Sequence, residues 1–347
     1  MTQEEPTMSS PEALALLDLI QSHRITAVIY VAAQLGIADR LCDGPRSLDD
    51  LADATGANRA ALARLLTALR TIGICRPGGG DRYALTETGA TLAGAAQSSC
   101  KAWAIFEGQM LSKSWNGLLE TVMSGKTAAQ IIQGLDDSFD LMARVPENVR
   151  VFNAAMASLT RLVAADVLAA YDFNRFSHLL DVGGGSAELI GAILGRYPRM
   201  RGTVYDLARC AETATAHLAQ LGLADRADFL AGDFFASIPA IADGVILKSV
   251  IHDWDAERSC AILQNCRQAL PANGTLLLVE RIMPTIPDCN ELHRSHALSD
   301  LNMLRGPGGR ERTEAQYRDL LGDTGFHVTS VTAAGRFAVI EASPAAG

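Results

Sequence analysis

The chain has 347 residues, 48% of them hydrophobic, which is enough for two domains with substantial cores. Its formal net charge of -9 excludes a broad electrostatic attraction for nucleic acid, which needs clustered Lys and Arg. Seven cysteines form no CxxC pair and the start, MTQEEPTMSSPEALALL, lacks a signal peptide's basic-then-apolar pattern, so reduced thiols in a cytoplasmic protein are expected.

In chain order, residues 11 to 40 read as amphipathic helices with a short break. No apolar run there or later approaches the ~20 residues of a bilayer span, so no membrane partner is expected. The stretch SLDDLADATGANRAALARLLTALRTIGICRPGGGDRYALTETG predicts helix, turn, helix and a two-stranded wing with its tip at Gly78-Gly79-Gly80. Such a winged helix either binds DNA or forms a scaffold for subunit contact. Its second helix offers only Arg59, Arg64 and Arg70, and Asp49, Asp50 and Asp53 on the helix before it would repel phosphates. The apolar helices that precede the wing favour burial against another subunit.

Residues 101 to 170 look helical throughout. From about residue 177 the pattern becomes strand, helix, strand, the signature of a parallel α/β sheet. The predicted strands are HLLDV, GTVYDL, ADFLAG, GVILKSV, GTLLLVE, FHVTSV and FAVIEAS. The last two lack a helix-length spacer and should form a hairpin. Five parallel strands ending in a hairpin differ from the six-strand dinucleotide-binding sheet, which suggests a different cofactor.

The first strand runs into Asp181-Val182-Gly183-Gly184-Gly185, where glycines let a ligand approach the backbone. Glu188 stands where a dinucleotide fingerprint has its third glycine, which weakens a nicotinamide-cofactor reading. Asp206, at the end of the next strand, is placed to accept hydrogen bonds from two ribose hydroxyls. After the third strand, the Asp233 carboxylate of Gly232-Asp233-Phe234 is placed to bond an adenine amine while the ring packs on the base. Each residue alone could equally serve a turn or a cap; three at successive strand ends face one crevice.

KSVIHDWDAE, residues 248 to 257, follows the fourth strand, and here the sequence resembles the S-adenosylmethionine-dependent O-methyltransferases of the plant caffeate and bacterial polyketide type. DVGGGSAELIGAILGRYP is similar to that family's first motif and Asp206-Leu207 to its ribose-binding turn. GDFF, HDW, LLLVERIMP and GGRERTEAQYRDLLGDTGF follow in family order over nearly the whole chain. The resemblance implies a Rossmann-like class I methyltransferase domain, a seven-stranded sheet with a terminal antiparallel hairpin, over residues 109–347 together with a helical linker. It implies a winged-helix, otherwise helical dimerisation domain over 1–108 and a homodimer. The cofactor implied is S-adenosyl-L-methionine, and the substrate a small aromatic acceptor. Ala187 departs from the family's frequent glycine; alanine is small, and little consequence is expected.

Methyl transfer from a sulfonium needs an aligned nucleophile stripped of its proton. A phenol with a pKa near ~10 is mostly protonated at neutral pH, so a base is useful. By resemblance His252 is that base, flanked by Glu280 and Glu311. Lys248, Ser249 and Trp254 would flank the cofactor, and Phe152, Asn153, Met156, Asn302 and Met303 would line the acceptor pocket. Asp253 and Asp255 are expected to face solvent or to cap the following helix. No metal-ligand cluster is evident between the second and fifth strands, so the site reads as metal-free. Alternatives are N- or C-methylation, a reaction without methyl transfer on the same scaffold, and a cofactor-sensing winged-helix regulator.

Overall fold

The computed structural model describes residues 10–133 and 144–345 and divides into two units, Met1–Lys113 and Ser114–Gly347. In the first unit, Ser10 caps helix α1 (Pro11–Gln21), its hydroxyl accepting the Ala13 N–H. Helices α2 (His23–Gln34) and α3 (Ile37–Leu41) follow, separated at Gly36, whose φ of 62° ends the first of them. The winged segment comprises β1 (Arg46–Ser47), α4 (Leu48–Thr55), α5 (Arg59–Thr71), β2 (Cys75–Pro77) and β3 (Arg82–Leu85). Its sheet has order β1-β3-β2, one strand more than the expected wing, because Arg46 and Ser47 pair with Tyr83 and Arg82.

Leu51, Leu62, Leu66 and Leu69 project from α4 and α5 onto Ala32, Ala33 and Ile37, and all are buried. Each buried Leu contributes roughly 1.5–3 kcal/mol, so this small core suffices for α2 to α5. Helix α1 buries no residue; Leu16, Leu19 and Ile20 are 58–62% exposed. Arg59 is ion-paired with Asp49, which removes one of the few cations the winged helix could offer to a phosphate.

In the second unit the long helix α6 (Pro146–Ala170) leads into a seven-stranded sheet. Its strands are β4 (His178–Val182), β5 (Arg201–Asp206), β6 (Ala227–Ala231), β7 (Gly244–Lys248), β8 (Thr275–Glu280), β11 (Phe326–Ala334) and β12 (Phe337–Pro344). A separate ladder pairs β9 (Ile282–Met283) with β10 (Arg312–Thr313) in parallel. The sheet order is β11-β12-β8-β7-β4-β5-β6. β6, β5, β4, β7 and β8 pair in parallel, and the β11–β12 hairpin joins β8 antiparallel, as expected.

Both faces of the sheet are covered, which is why Leu179-Leu180 and Leu276 to Val279 read as unbroken apolar runs. One face packs on α6 and α7 (Glu188–Arg196), the other on α9 (Ala256–Ala269) and α11 (Glu314–Asp323). Helices α8 (Ala211–Gln220) and α10 (Glu291–Arg305) complete the set used below. Strand order reverses between β4 and β7, and such a switch point opens a crevice at the carboxyl ends of the strands.

Two helical stretches, Pro11–Gln34 and Pro146–Ala170, are long and apolar enough by length and composition to cross a membrane. This corrects the count of uninterrupted apolar runs, which treats each charged residue as a break. Helix α6 packs as a core helix, with Ala155, Val163, Ala164 and Val167 buried. The other stretch is interrupted at Ser22 and carries the exposed Glu12, Asp18, His23 and Arg24.

Candidate active site

The glycine turn after β4 is dictated by close packing. Gly183 and Gly185 have φ values of 72° and 56°. A Cβ on Gly184 would lie 2.7 Å from the Asp181 carboxyl, and one on Gly183 would lie 2.8 Å from Val250. Ala187 also sits in the left-handed region, at φ 66°, fully buried at the N-cap of α7. A left-handed backbone favours glycine, so the alanine at this position carries strain, which its small buried methyl partly offsets.

Asp206 ties this turn to β5. Its Oδ2 accepts the Gly185 N–H at 2.8 Å and its Oδ1 the N–H of exposed Leu207 at 2.6 Å. At the end of β6, Asp233 accepts the Phe235 N–H at 2.9 Å. Gly232 is there for a different reason from ligand approach: a Cβ would strike the Tyr205 ring. The Phe234 ring meets Trp254 edge-on with centroids 6.2 Å apart, and Trp254 is buried.

Beneath the turn, Asp181 is buried and its Oδ2 has no hydrogen-bond partner. Burial pushes its pKa up to about 7, against the pull of the Lys248 ammonium. Burial likewise lowers Lys248 to about 8, opposed by Glu280 and Asp181. Ser249, whose hydroxyl accepts from Lys248 Nζ at 3.3 Å, has φ 55°, a second strained non-glycine residue.

His252 lies on the single 3-10 turn Ile251–Asp253 just beyond β7. Its Nδ1 is 3.1 Å from Glu311 Oε1 and 3.6 Å from Glu280 Oε2; Nε2 is 3.5 Å from Asp253 Oδ1. Glu280, at the end of β8, accepts the Val250 and Ile251 N–H groups through Oε1, so it holds the turn as well as facing the ring. The β9–β10 ladder starts directly after Glu311 and two residues after Glu280. Arg312 clamps the same turn from below, donating to Ile251 O, Trp254 O and Ser259 Oγ at 2.9–3.0 Å.

Burial alone would lower the His252 pKa, but the fields of Glu280, Glu311 and Asp253 together raise it to about 9. Burial raises Glu280, with His252 opposing. Glu311 is buried too, yet His252, Arg281 and Ser299 hold it below the usual carboxylate range. Asp253 does not face solvent, which corrects that expectation: its side chain is 20% exposed, turns towards the imidazole and is pushed up to about 7 by burial. Asp255 caps α9 as expected, accepting the Arg258 N–H. Ligand atoms of His252, Glu280 and Glu311 lie within 4.8 Å of one another, a set able to hold a cation that spacing along the chain does not reveal.

The expected acceptor residues are dispersed over two helices. Phe152 and Met156 are half-buried on α6, whereas Asn153 is exposed on a cleft of about 400 Å³ with Ser186 and His217. That cleft includes no residue of the His252 turn. On α10, Asn302 accepts from Arg305 at 2.8 Å and Met303 is buried.

Two family profiles match the chain: an O-methyltransferase domain over residues 115–327 and an O-methyltransferase dimerisation domain over 17–94. The chain belongs to the O-methyltransferase family. Across 99% of its length the methyltransferase is 37% identical to a phenazine O-methyltransferase of Lysobacter antibioticus, all of which is covered. The crystal structure of LaPhzM superposes with a TM-score of 0.89 at 36% identity, over 96% of this chain and 100% of that one. NcsB1, an O-methyltransferase from neocarzinostatin biosynthesis, was solved with S-adenosylmethionine and 2-hydroxy-5-methyl naphthoic acid. It matches with a TM-score of 0.74 at 28% identity, over 98% of this chain and 100% of that one.

Sequence reasoning missed Asp253, Arg281, Ser299, Asp300 and Arg312 of this methyltransferase. Asp253, Arg281 and Arg312 each carried a signal, standing directly after His252, Glu280 and Glu311. The others act through contacts across the fold that no local pattern encodes.

Proposed function

We propose that this methyltransferase methylates a phenolic hydroxyl of a small aromatic metabolite, with His252 as general base and without a metal. The observation that carries the reading is the Nδ1–Glu311 contact, 3.1 Å between two buried side chains. It fixes the imidazole through Nδ1, so that Nε2, 3.5 Å from Asp253 Oδ1, is the nitrogen left to meet an acceptor O–H. Glu280 and Glu311 then stabilise the imidazolium that forms when the proton arrives.

S-adenosylmethionine, when bound, supplies a methyl group activated by its positive sulfonium. The residues present fit it. Gly183 and Gly185 leave a cradle free of Cβ atoms, with open space beside Gly185, and the buried Asp181 Oδ2 lacks a donor that a ligand ammonium can provide. Asp206 and Leu207 would hold the ribose end, and Asp233 and Phe234 the adenine. Lys248, Ser249 and Trp254 would close the site around it.

Phe152, Asn153, Met156, Asn302 and Met303 are the proposed acceptor contacts. The mechanism proposed is metal-free, with Oε1 of both glutamates engaged by protein donors, although Oε2 of each is buried without a partner. The proposed working state is a cytoplasmic homodimer, built through the dimerisation domain, with no nucleic-acid or membrane partner. Exposed Leu16, Leu19 and Ile20 support the subunit contact, and the Asp49–Arg59 pair argues against DNA. Incubation with labelled cofactor and a panel of phenols, with the product mapped by NMR, tests the reading; methyl found only on nitrogen or carbon contradicts it.

A further inference from the structure

Glu311 is gripped at two points by consecutive residues of α10. Ser299 Oγ donates to Glu311 Oε1 at 2.7 Å, and Asp300 Oδ1 accepts the Glu311 backbone N–H at 2.8 Å. Oε1 is also the oxygen 3.1 Å from His252 Nδ1, whereas Oε2 is buried with no partner. A carboxylate able to turn about its last bond would present either oxygen to the ring, or neither. Arg281 Nη1 lies 3.6 Å from the same Oε1 and attracts it, but the hydroxyl supplies the short hydrogen bond that restricts the rotation.

We propose that Ser299 is a positioning residue for methyl transfer, its hydroxyl locking the rotation of the Glu311 carboxylate so that Oε1 stays on His252 Nδ1. This rests on the reading of His252 as base. It adds that the helix carrying the proposed acceptor contacts Asn302 and Met303 also sets the orientation of the base. Without the hydroxyl, the imidazole loses a fixed partner on Nδ1. Its cationic form is then less well stabilised, and less of the neutral ring has Nε2 unprotonated.

The test uses the full-length Ser299→Ala and Ser299→Thr variants, the second retaining a hydroxyl. With labelled histidine, NMR follows the titration of His252, identified by the signal missing from His252→Gln. Ser299→Ala should lower the His252 midpoint and, compared above the wild-type midpoint where the ring is neutral in both proteins, reduce turnover about threefold to tenfold, the loss of one hydrogen bond. The KM for S-adenosylmethionine should stay within about twofold, because hydrogen-bond loss is confined to the base. Ser299→Thr should restore both the midpoint and the turnover. An unmoved midpoint in folded Ser299→Ala overturns the proposal, as does a midpoint that moves equally in Ser299→Thr. Because the midpoint is read without turnover, this outcome is separable from failure of the base assignment, which shows as full turnover in His252→Gln.

Discussion

The Gly185 backbone N–H donates to Asp206 Oδ2 across 2.8 Å and joins the carboxyl ends of β4 and β5. One carboxylate thus shapes the glycine turn and remains able to accept from a ribose. Asp206→Ala removes both functions. A hydrogen bond to a charged group contributes about 1.5–3 kcal/mol, so affinity for S-adenosylmethionine should fall at least about tenfold by calorimetry. Wild-type affinity in the folded variant would remove the ribose assignment.

Ala187 gives a second test of the same turn. A non-glycine residue in the left-handed region costs roughly 1–2 kcal/mol, and the buried methyl returns about 0.8 kcal/mol. Ala187→Gly should therefore change stability by less than about 1 kcal/mol in denaturant unfolding. Ala187→Val, branched at the same φ of 66°, should destabilise by more than about 1 kcal/mol. A stable valine variant would mean that the turn relaxes freely.

The charged cluster separates two chemistries. His252, Glu280 and Glu311 are close enough to ligate a cation, but the proposed mechanism uses them for the proton. Activity should survive EDTA and gain nothing from added magnesium or zinc. Loss on chelation with recovery on adding metal would assign the cluster to metal-assisted catalysis instead.

Assembly rests on the helices that bury least within the chain. With no residue of α1 buried, removal of residues 1–21, which spares the core residues Ala32, Ala33 and Ile37, should convert a dimer to monomer in sedimentation velocity. The lost interface is expected at or above the upper end of the ~1,200–2,000 Å² range typical of stable complexes. A truncated chain that still sediments as a dimer would place the interface elsewhere.

Much of this fold was legible because its signals are local. The buried parallel strands announce themselves as apolar runs, and the missing spacer between β11 and β12 forces their hairpin. The capping Asp255 marks a helix start directly. His252, Glu280 and Glu311 came instead from motif resemblance, the two glutamates being 28 and 59 residues beyond His252, separations that spacing alone cannot pair. The positive φ of Ala187 and Ser249 was illegible because neither residue type favours that conformation locally. Asp253 was misjudged for a related reason: next to a capping Asp255 it reads as a surface acid, and only the single turn at Ile251–Asp253 swings it inward.

The base assignment is tested most directly by the pH dependence of turnover in His252→Gln beside the wild type. Burial opposes the charge on His252, but its acidic neighbours raise the pKa to about 9, so the ring is mostly protonated at neutral pH. Only the neutral ring takes a proton, and wild-type turnover should therefore climb as pH rises from neutrality towards 9. Removing the base should cut neutral-pH turnover by roughly 10²–10⁴-fold. Cofactor affinity should stay nearly unchanged, since the glycine turn, Asp206 and Asp233 are untouched. At high pH the variant should partly recover as the phenol ionises in solution. Wild-type turnover in His252→Gln at neutral pH would contradict the assignment and leave proximity as the source of catalysis.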